Sequence, residues 1–484
     1  MRIYSRDVDA DVFEHHLASP QGAGALPRGG FEGVAGGSVC GDLVRFGLVV
    51  DGSRVADAGF AASGCGALTA SASVAVSLVR RRELLDAARV SVASVSDELG
   101  GLSAGKVHAA ELVVDALHSA LGAAARASAS LPPSPSRVLV AMSGGVDSAV
   151  AALTCGREEG AEAVGVTLEL WRDADNDAGA SCCSATAVRR ARSLAHGMGL
   201  PHLTLDLRSE FRDGVVRPFL DGHAAGETPN PCVLCNGFVR LDAMVELADR
   251  LGAASLATGH YARVHDDGDG PLLRAAADPA KDQSYMLAGL APSTLARLRF
   301  PLGALTKPEV RALAEDAALS VARTPDSQDL CFLAGTGKRA FLARHGGSSL
   351  GAAPGDIVDE DGVVLGRHDG HASFTVGQRR GLGVGGGTPL YVLFTDAASN
   401  RVVVGPRASL RTDRITVRDA RLHRPASVVD SVKLRYRSRP LPARVGGSAP
   451  DLRLALGEPV LGAAPGQAAV LLSGDVVVGV GTIA

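Results

Sequence analysis

The 484-residue chain contains no stretch of about 18 apolar residues uninterrupted by Pro, Gly or charge, and no cationic segment with an apolar core opens it. A membrane span and a secretory leader are therefore not expected, and the chain reads as cytoplasmic with no membrane partner. Cysteine is scarce. Eight residues, at 40, 65, 155, 182, 183, 232, 235 and 331, are too sparse for a secreted disulfide framework in a chain this long, so each thiol is catalytic, metal-binding or buried. A basic excess is also missing: 49 Lys and Arg against 52 Asp and Glu leave a net charge of -3. Any contact with RNA must then rest on a local basic strip. What is present is ample apolar material, 46% hydrophobic against 21% charged, in a length that calls for two to four domains.

One stretch organises the rest. Residues 138–142 form a short apolar run suited to a buried parallel strand, and residues 149–153 are good helix formers. Between them stands SGGVDS, Ser143 to Ser148, where two glycines let the backbone turn and present its N–H groups to phosphate oxygens. No Gly-Lys-Ser/Thr follows, which excludes the lysine loop of γ-phosphate chemistry. The pattern resembles instead the pyrophosphate loop of adenine-nucleotide α-hydrolase-like enzymes, which attack ATP at the α-phosphate.

Residues 1–125 read as a first unit, α+β in type, closed by a Pro/Ser linker at 126–136. Strands are expected at 43–50 and 54–60, and an amphipathic helix at 104–121. Cys40-Gly41-Asp42, Gly64-Cys65-Gly66 and Lys106-Val107-His108 punctuate these elements, and the unit resembles an IscU/NifU-type iron–sulfur scaffold. That resemblance implies a site of Cys40, Asp42, Cys65 and His108, a donor mixture suited to zinc or to one edge of a small cluster. Ala109 stands where the scaffold carries a further cysteine, which leaves open a second reading: a degenerate domain that docks a cysteine desulfurase.

Alternating strands and helices over 137–345 imply a parallel sheet with helices on both faces, with its ligand beyond the carboxyl ends of the strands. TPNPCVLCN (228–236) is expected to be a rigid loop presenting Cys235, since prolines oppose helix and central strand. Cys155 is expected to pack within its helix and Cys182 and Cys183 to lie in a loop. Residues 346–408 read as a small glycine-rich domain with strands near 374–376 and 391–394. Residues 409–484 read as a β-barrel whose strand at 432–436 carries a basic strip.

With SGGVDS, TPNPCVLCN, ATGHY (257–261), KDQSY (281–285), PDSQDLCF (325–332) and GQRRGLG (377–383) in this order, the chain from residue 137 resembles the tRNA-specific 2-thiouridylase family, MnmA/TrmU. The resemblance implies ATP and Mg2+ at Ala141, Met142, Ser143, Gly144, Gly145, Val146, Asp147 and Ser148, with Leu168 and Gly259 flanking the adenosine. It implies Cys331 as persulfide carrier and Cys235 as its attacking or resolving partner. Cys232 stands where some relatives carry an aspartate, and a cluster held by Cys232, Cys235 and Cys331 is the competing arrangement. It implies tRNA contacts at Asn230, Pro231, Cys232, His260, Lys281, Asp282, Gln283, Arg435, Tyr436 and Gln467. The tRNAs implied are those for Lys, Glu and Gln, and the protein partner implied is a cysteine desulfurase or sulfur-relay protein. Another ligase of the same nucleotide fold and a non-enzymatic iron–sulfur carrier are the alternatives; the first lacks the paired thiols, and the second leaves SGGVDS unexplained.

Overall fold

The computed structural model describes residues 10–37, 41–172, 184–326, 330–333, 335–350, 353–385 and 388–484. Cys40, Cys182 and Cys183 fall outside them. The first unit is a three-stranded antiparallel sheet, Phe31–Gly36, Leu43–Asp51 and Arg54–Ser63, with helices Gly66–Val79 and Val107–Ala127 against it. Val44, Phe46, Leu48 and Val50 alternate along the middle strand and are all buried, the period expected of a strand with one face on a core.

Helix Val107–Ala127 runs beyond the expected residue 121, because residues 122–127 are Gly-Ala-Ala-Ala-Arg-Ala, nearly all strong helix formers. It lies between two sheets. A Cβ on Gly33 would come within 2.0 Å of Ala116 O on one side, and a Cβ on Gly122 within 1.7 Å of Thr204 O on the other. Both contacts are backbone against backbone, so only glycine fits.

The second sheet is parallel throughout, in the order Leu298–Arg299, Ala253–Thr258, Ser134–Ala141, Glu162–Glu169, His202–Asp206. Val113, Leu117 and Leu121 of the long helix join Leu139, Val166, Leu203 and Leu205 in one continuous core. The buried His118 ring sits between Val90 O at 2.8 Å and His202 O at 2.9 Å, and the His202 N–H donates to Ala88 O at 3.0 Å. Asp115 accepts from Arg189 at 2.6 Å and also from the buried Arg192. The two units are therefore docked, not merely tethered.

The Pro/Ser stretch confirms this. The Ser130 N–H donates to Gly52 O (3.1 Å), the Leu131 N–H to Arg250 O (2.9 Å) and the Ser134 N–H to Gly252 O (2.8 Å), and strand Ser134–Ala141 starts inside the expected linker. A free linker is thus corrected to a short, hydrogen-bonded connection.

Three local expectations are also corrected. Pro231–Leu234 is helical, with Pro231 at the first position, where the missing N–H has no intrahelical partner to lose, and Asn230 Oδ1 accepts from the N–H groups of Cys232 and Val233. A π-helical turn, Cys235–Arg240, and helix Leu241–Arg250 continue it, so Cys235 is on a helix and buried. Residues 374–376 form no strand; the small domain's sheet is Gly355–Val358, Val364–His368, Tyr391–Asp396 and Arg401–Gly405. The third strand expectation ends early: Ser431–Lys433 is extended, and the basic strip from Leu434 onward turns.

The C-terminal domain is a closed barrel of Arg411–Leu422, Ser431–Lys433, Leu441–Ser448, Asp451–Leu461, Ala468–Ser473 and Val476–Ile483, sealed by the pairing of Val417 with Ile483. The hairpin Ala262–Asp266/Pro271–Ala275 leaves the nucleotide domain and pairs with the barrel at Val476 and Val477. Gly122→Ala should therefore disturb the joint between units, at about 1–3 kcal/mol for overpacking. A lowered thermal midpoint in calorimetry is expected, and an unchanged one would mean the helix and sheet edge are not in contact in solution.

Candidate active site

Ala141 ends the central strand, and its neighbours in register are Val166 and Thr258. Leu168, two residues beyond Val166 and still in its strand, and Gly259, one beyond Thr258, therefore stand on the two strands that flank the loop's own. Gly144 has φ +76°, a left-handed conformation, and a Cβ there would lie 2.7 Å from Ala187 O. Gly145 is different: its φ is -93°, and a Cβ would meet Ser143 Oγ at 3.6 Å and nothing else within 4 Å. Ser148 Oγ accepts from the Ser143 N–H (3.1 Å) and donates to Gly145 O (3.0 Å), closing the loop on itself at the start of helix Val146–Arg157. Such a turn leaves backbone N–H groups at a helix N-terminus for an anion.

Asp147 is held by groups that the sequence reading missed. Its Oδ1 accepts from the Tyr261 hydroxyl at 2.8 Å and from Lys307 Nζ at 2.6 Å. Lys307 also reaches Asp326 Oδ1 at 2.9 Å, and Asp326 accepts from Lys281 Nζ at 2.7 Å and Arg311 at 3.0 Å. Burial works against the Asp326 carboxylate, but the hydrogen bonds from Lys281 and Lys307 prevail and hold it down at about 2. Burial and the Asp147 charge push the Tyr261 phenol up, keeping it a donor. Lys307 could be suspected from sequence by its position: it follows Thr306 in a Thr-Lys-Pro-Glu capping box, where the helix's positive end disfavours a cation.

The thiols of Cys235 and Cys331 lie in or against the core that includes Ala141 and Leu168, whereas Met142, Val146 and Tyr261 belong to a neighbouring one. Cys235 belongs to the main core, Cys331 packs against it, and Cys232 is half-buried beside Tyr436. Phe332, next to Cys331, stacks edge-on with Phe211, Phe219 and Phe341, so an aromatic cluster fixes that segment. All five described cysteines, Cys65, Cys155, Cys232, Cys235 and Cys331, are thiols. Cys155 is fully buried, which pushes its thiol up to about 11 and suits packing, as expected. Among the described residues, the His, Cys, Asp and Glu ligand atoms that converge within 4.8 Å are those of Asp42, Cys65 and His108, so Cys232, Cys235 and Cys331 do not gather closely enough to share one zinc ion in this arrangement.

The expected RNA-contacting residues fall into two groups. Asn230, Pro231, Cys232, Arg435, Tyr436 and Gln467 are brought together where the barrel meets the Thr228–Cys235 segment: the Thr228 N–H donates to Pro465 O (2.7 Å), Gln467 Nε2 to Thr228 O (2.5 Å), and Tyr436 lies 6.4 Å from Tyr285. A cleft of about 620 Å³ opens there, with Gln378, Tyr391, Arg407 and Arg435 in its wall. In the second group Asp282 and Gln283 are turned inward. Asp282 accepts from the Ala276 and Ser284 N–H groups and from Lys433 Nζ (3.2 Å), and Gln283 Oε1 accepts from the Tyr261 N–H (2.9 Å). His260, near the loop, is pushed down to about 3 by burial and by Arg240, so any contact it makes is a neutral hydrogen bond.

In the first unit, Asp42 Oδ2 stands 3.4 Å from both Cys65 Sγ and His108 Nε2. A Cβ on Gly64 would lie 2.2 Å from Asp42 Oδ1, so the close approach needs glycine. The Cys65 N–H holds the Asp42 carboxylate below its ordinary range. Sulfur, oxygen and nitrogen donors at this spacing fit zinc.

The fold and site define a nucleotide enzyme of the pyrophosphate-loop class joined to a scaffold-like domain. Family models agree along the chain: a NifU-like N terminal domain over residues 8–128, a tRNA methyl transferase HUP domain over 136–335, a tRNA methyl transferase PRC-barrel domain over 339–406 and an aminomethyltransferase β-barrel domain over 412–483. The bifunctional protein NifU/MnmA of Rubrobacter xylanophilus is 45% identical over 97% of this chain and 97% of its own. The tRNA-specific 2-thiouridylase MnmA of Rhodospirillum centenum is 45% identical over 72% of this chain and 92% of its own. The chain belongs to the MnmA 2-thiouridylase family, in its NifU-fused form. A solved structure of the U34-tRNA thiolase NcsA from Methanococcus maripaludis, with its [4Fe-4S] cluster, aligns at 16% identity and TM-score 0.27 over 45% of this chain and 69% of that one, which is too distant to argue from. Among the described residues, no helix is long and apolar enough to cross a membrane.

The depressed Asp326 carboxyl sets an acid limit. Its contribution to stability is complete above the unfolded-state value of about 3.9 and is lost as pH falls from there toward about 2. Urea midpoints measured from pH 5 to pH 3 should fall less steeply for Asp326→Asn than for the wild type; parallel slopes would show that the carboxylate is not paired in solution.

Proposed function

We propose that the chain 2-thiolates the wobble uridine of tRNA with ATP and a persulfide sulfur. The observation that carries this is the Lys307 ammonium, which joins Asp147 of the phosphate loop to Asp326, five residues before Cys331, while Cys235 and Cys331 share one core and a barrel is docked beside Asn230 and Cys232. In this reading the uridine C2 oxygen attacks the α-phosphorus at the 141–148 loop, and pyrophosphate leaves. Sulfur from a Cys331 persulfide then attacks C2 and displaces AMP. Cys235 attacks the sulfur of Cys331, closing a disulfide that external thiols reduce, and the transferred sulfur stays on C2. Asp147 Oδ2 is without a partner among the described residues and fits Mg2+, which would neutralise phosphate charge there. In this reading the substrates are the tRNAs for Lys, Glu and Gln.

The first unit would present its Asp42, Cys65 and His108 site to a cysteine desulfurase or sulfur-relay protein, and zinc held there would order the ligands. Cys331→Ser and Cys235→Ser are each expected to abolish 2-thiouridine formation in unmodified tRNA while leaving tRNA affinity within about twofold, an energy below roughly 0.5 kcal/mol. Nucleoside analysis showing wild-type turnover in either variant would refute the two-thiol mechanism. Gly145→Val offers the matching test of the nucleotide loop, since its side chain enters open space rather than protein; it should keep the fold but lose ATP-dependent pyrophosphate release.

Because helix Val107–Ala127 is part of the common core, removal of the first unit would strip the thiolase sheet, and a point variant is the better probe. Cys65→Ser should leave thiolation with excess inorganic sulfide unchanged and slow it about tenfold with cysteine and catalytic desulfurase, the scale of losing one close contact. Equal rates with both sulfur sources would remove the first unit from sulfur supply.

A further inference from the structure

Lys307 is buried, stands at the first position of helix Lys307–Asp316, and is 160 residues from its partner Asp147. A lysine rarely goes under without a paired charge, and the positive end of a helix is the wrong place for one. Two carboxylates compensate it, and they belong to different segments. Asp147 is inside the nucleotide loop, whereas Asp326 begins the segment that ends in Cys331. Asp326 is in turn held by Lys281, and by Arg311, which also binds Ala322 O at 2.7 Å and Thr324 O at 3.2 Å. Asp326, five residues before Cys331 in sequence, is thus held from three sides, and Lys307 is its single bridge to the nucleotide loop among the described ion pairs.

Asp278 Oδ2 accepts from the Lys307 backbone N–H at 3.1 Å, so the cluster of Asp147, Asp278, Asp326, Lys307, Lys281 and Arg311 is balanced, three cations against three carboxylates. An incoming polyphosphate adds negative charge beside the loop and competes with Asp326 for the shared Lys307 ammonium, a compact charge on a flexible stem and the group able to move. We propose that Lys307 is a positioning residue that couples the two half-reactions: nucleotide in the loop takes up the Lys307 ammonium, its hold on Asp326 changes, and the exposure of the Cys331 thiol becomes dependent on nucleotide. Sulfur would then be offered when there is an adenylation site to receive it. The inference rests on the nucleotide reading of the 141–148 loop.

The test needs neither tRNA nor turnover. The full-length protein is treated with iodoacetamide, and alkylation of Cys331 is followed by peptide mass spectrometry with and without Mg2+ and the α,β-methylene analogue of ATP, whose affinity is measured in parallel by equilibrium dialysis. In the wild type the analogue should change the Cys331 alkylation rate about fivefold, a typical size for coupling between sites. Lys307→Met should bind the analogue more weakly, and at saturation the change should disappear; Lys307→Arg should restore part of it. If Lys307→Met does not fold, Asp326→Asn, which keeps the Lys307–Asp147 pair, is expected to lose the change as well. A nucleotide effect in Lys307→Met or Asp326→Asn equal to that of the wild type would overturn the coupling, as would its absence in a wild type that binds the analogue. A wild type that does not bind the analogue would overturn the nucleotide reading itself.

Discussion

The architecture of the site depends on one close contact between backbones. A Cβ on Gly259 would lie 2.7 Å from the Ser148 N and 2.8 Å from the Asp147 carbonyl carbon, so the chain leaving strand Ala253–Thr258 lies directly against the first turn of the loop helix. Two residues later, Tyr261 is thereby placed to donate to Asp147. The Tyr261 N–H and C=O are both clamped by Gln283, which sets the Lys281–Gln283 segment, and Asp282 in that segment receives Lys433 from the barrel. Nucleotide loop, Lys281–Gln283 segment and barrel are therefore positioned in series. The links are hydrogen bonds of 2.8 to 3.2 Å, and the first depends on the absence of a side chain at Gly259.

This ordering also gives Lys281, Asp282 and Gln283 distinct characters that their adjacency in sequence conceals. Asp282 and Gln283 make internal bonds and shape the backbone, while Lys281 pairs with Asp326 at the surface, 35% of its side chain exposed, and retains hydrogens for a phosphate. A basic strip that looked like a strand face has the same division. Lys433 is turned inward to Asp282 and Arg435 caps the carbonyls of Leu461 and Gly462, so the segment ties domains together.

The parallel sheet was legible because alternating apolar runs and helices have periods that do not depend on distant partners, and the phosphate loop was legible because glycine requirements are local. The helical setting of Cys235 was not. Proline was weighed as a breaker, yet at the first helical position it breaks nothing, and Asn230 supplies the cap that would have revealed the start. The docking of the long helix was hidden for another reason: its residues 110, 113, 114, 117 and 121 give an amphipathic pattern, whereas the contacts with the second unit are made by Asp115, His118 and Gly122, which read in sequence as a polar face. The pairing of Lys307 with Asp147 was beyond sequence reasoning, since a contact across 160 residues leaves no spacing to read.

Docking changes how the fused first unit can serve the thiolase. A flexible linker raises the local concentration of what it tethers, and the gain depends on the chain exploring space. Here residues 128–134 are pinned by Gly52, Arg250 and Gly252, and the helix on the near side is part of the sheet's own core. The Asp42, Cys65 and His108 site therefore keeps a fixed orientation relative to the thiols of the second unit and has no swing by which to deliver sulfur. Fusion in this form conserves an arrangement rather than a supply of encounters. The ion pairs of Asp115 with the half-exposed Arg189 and the buried Arg192 are therefore part of what sets the angle between the first unit and the nucleotide domain.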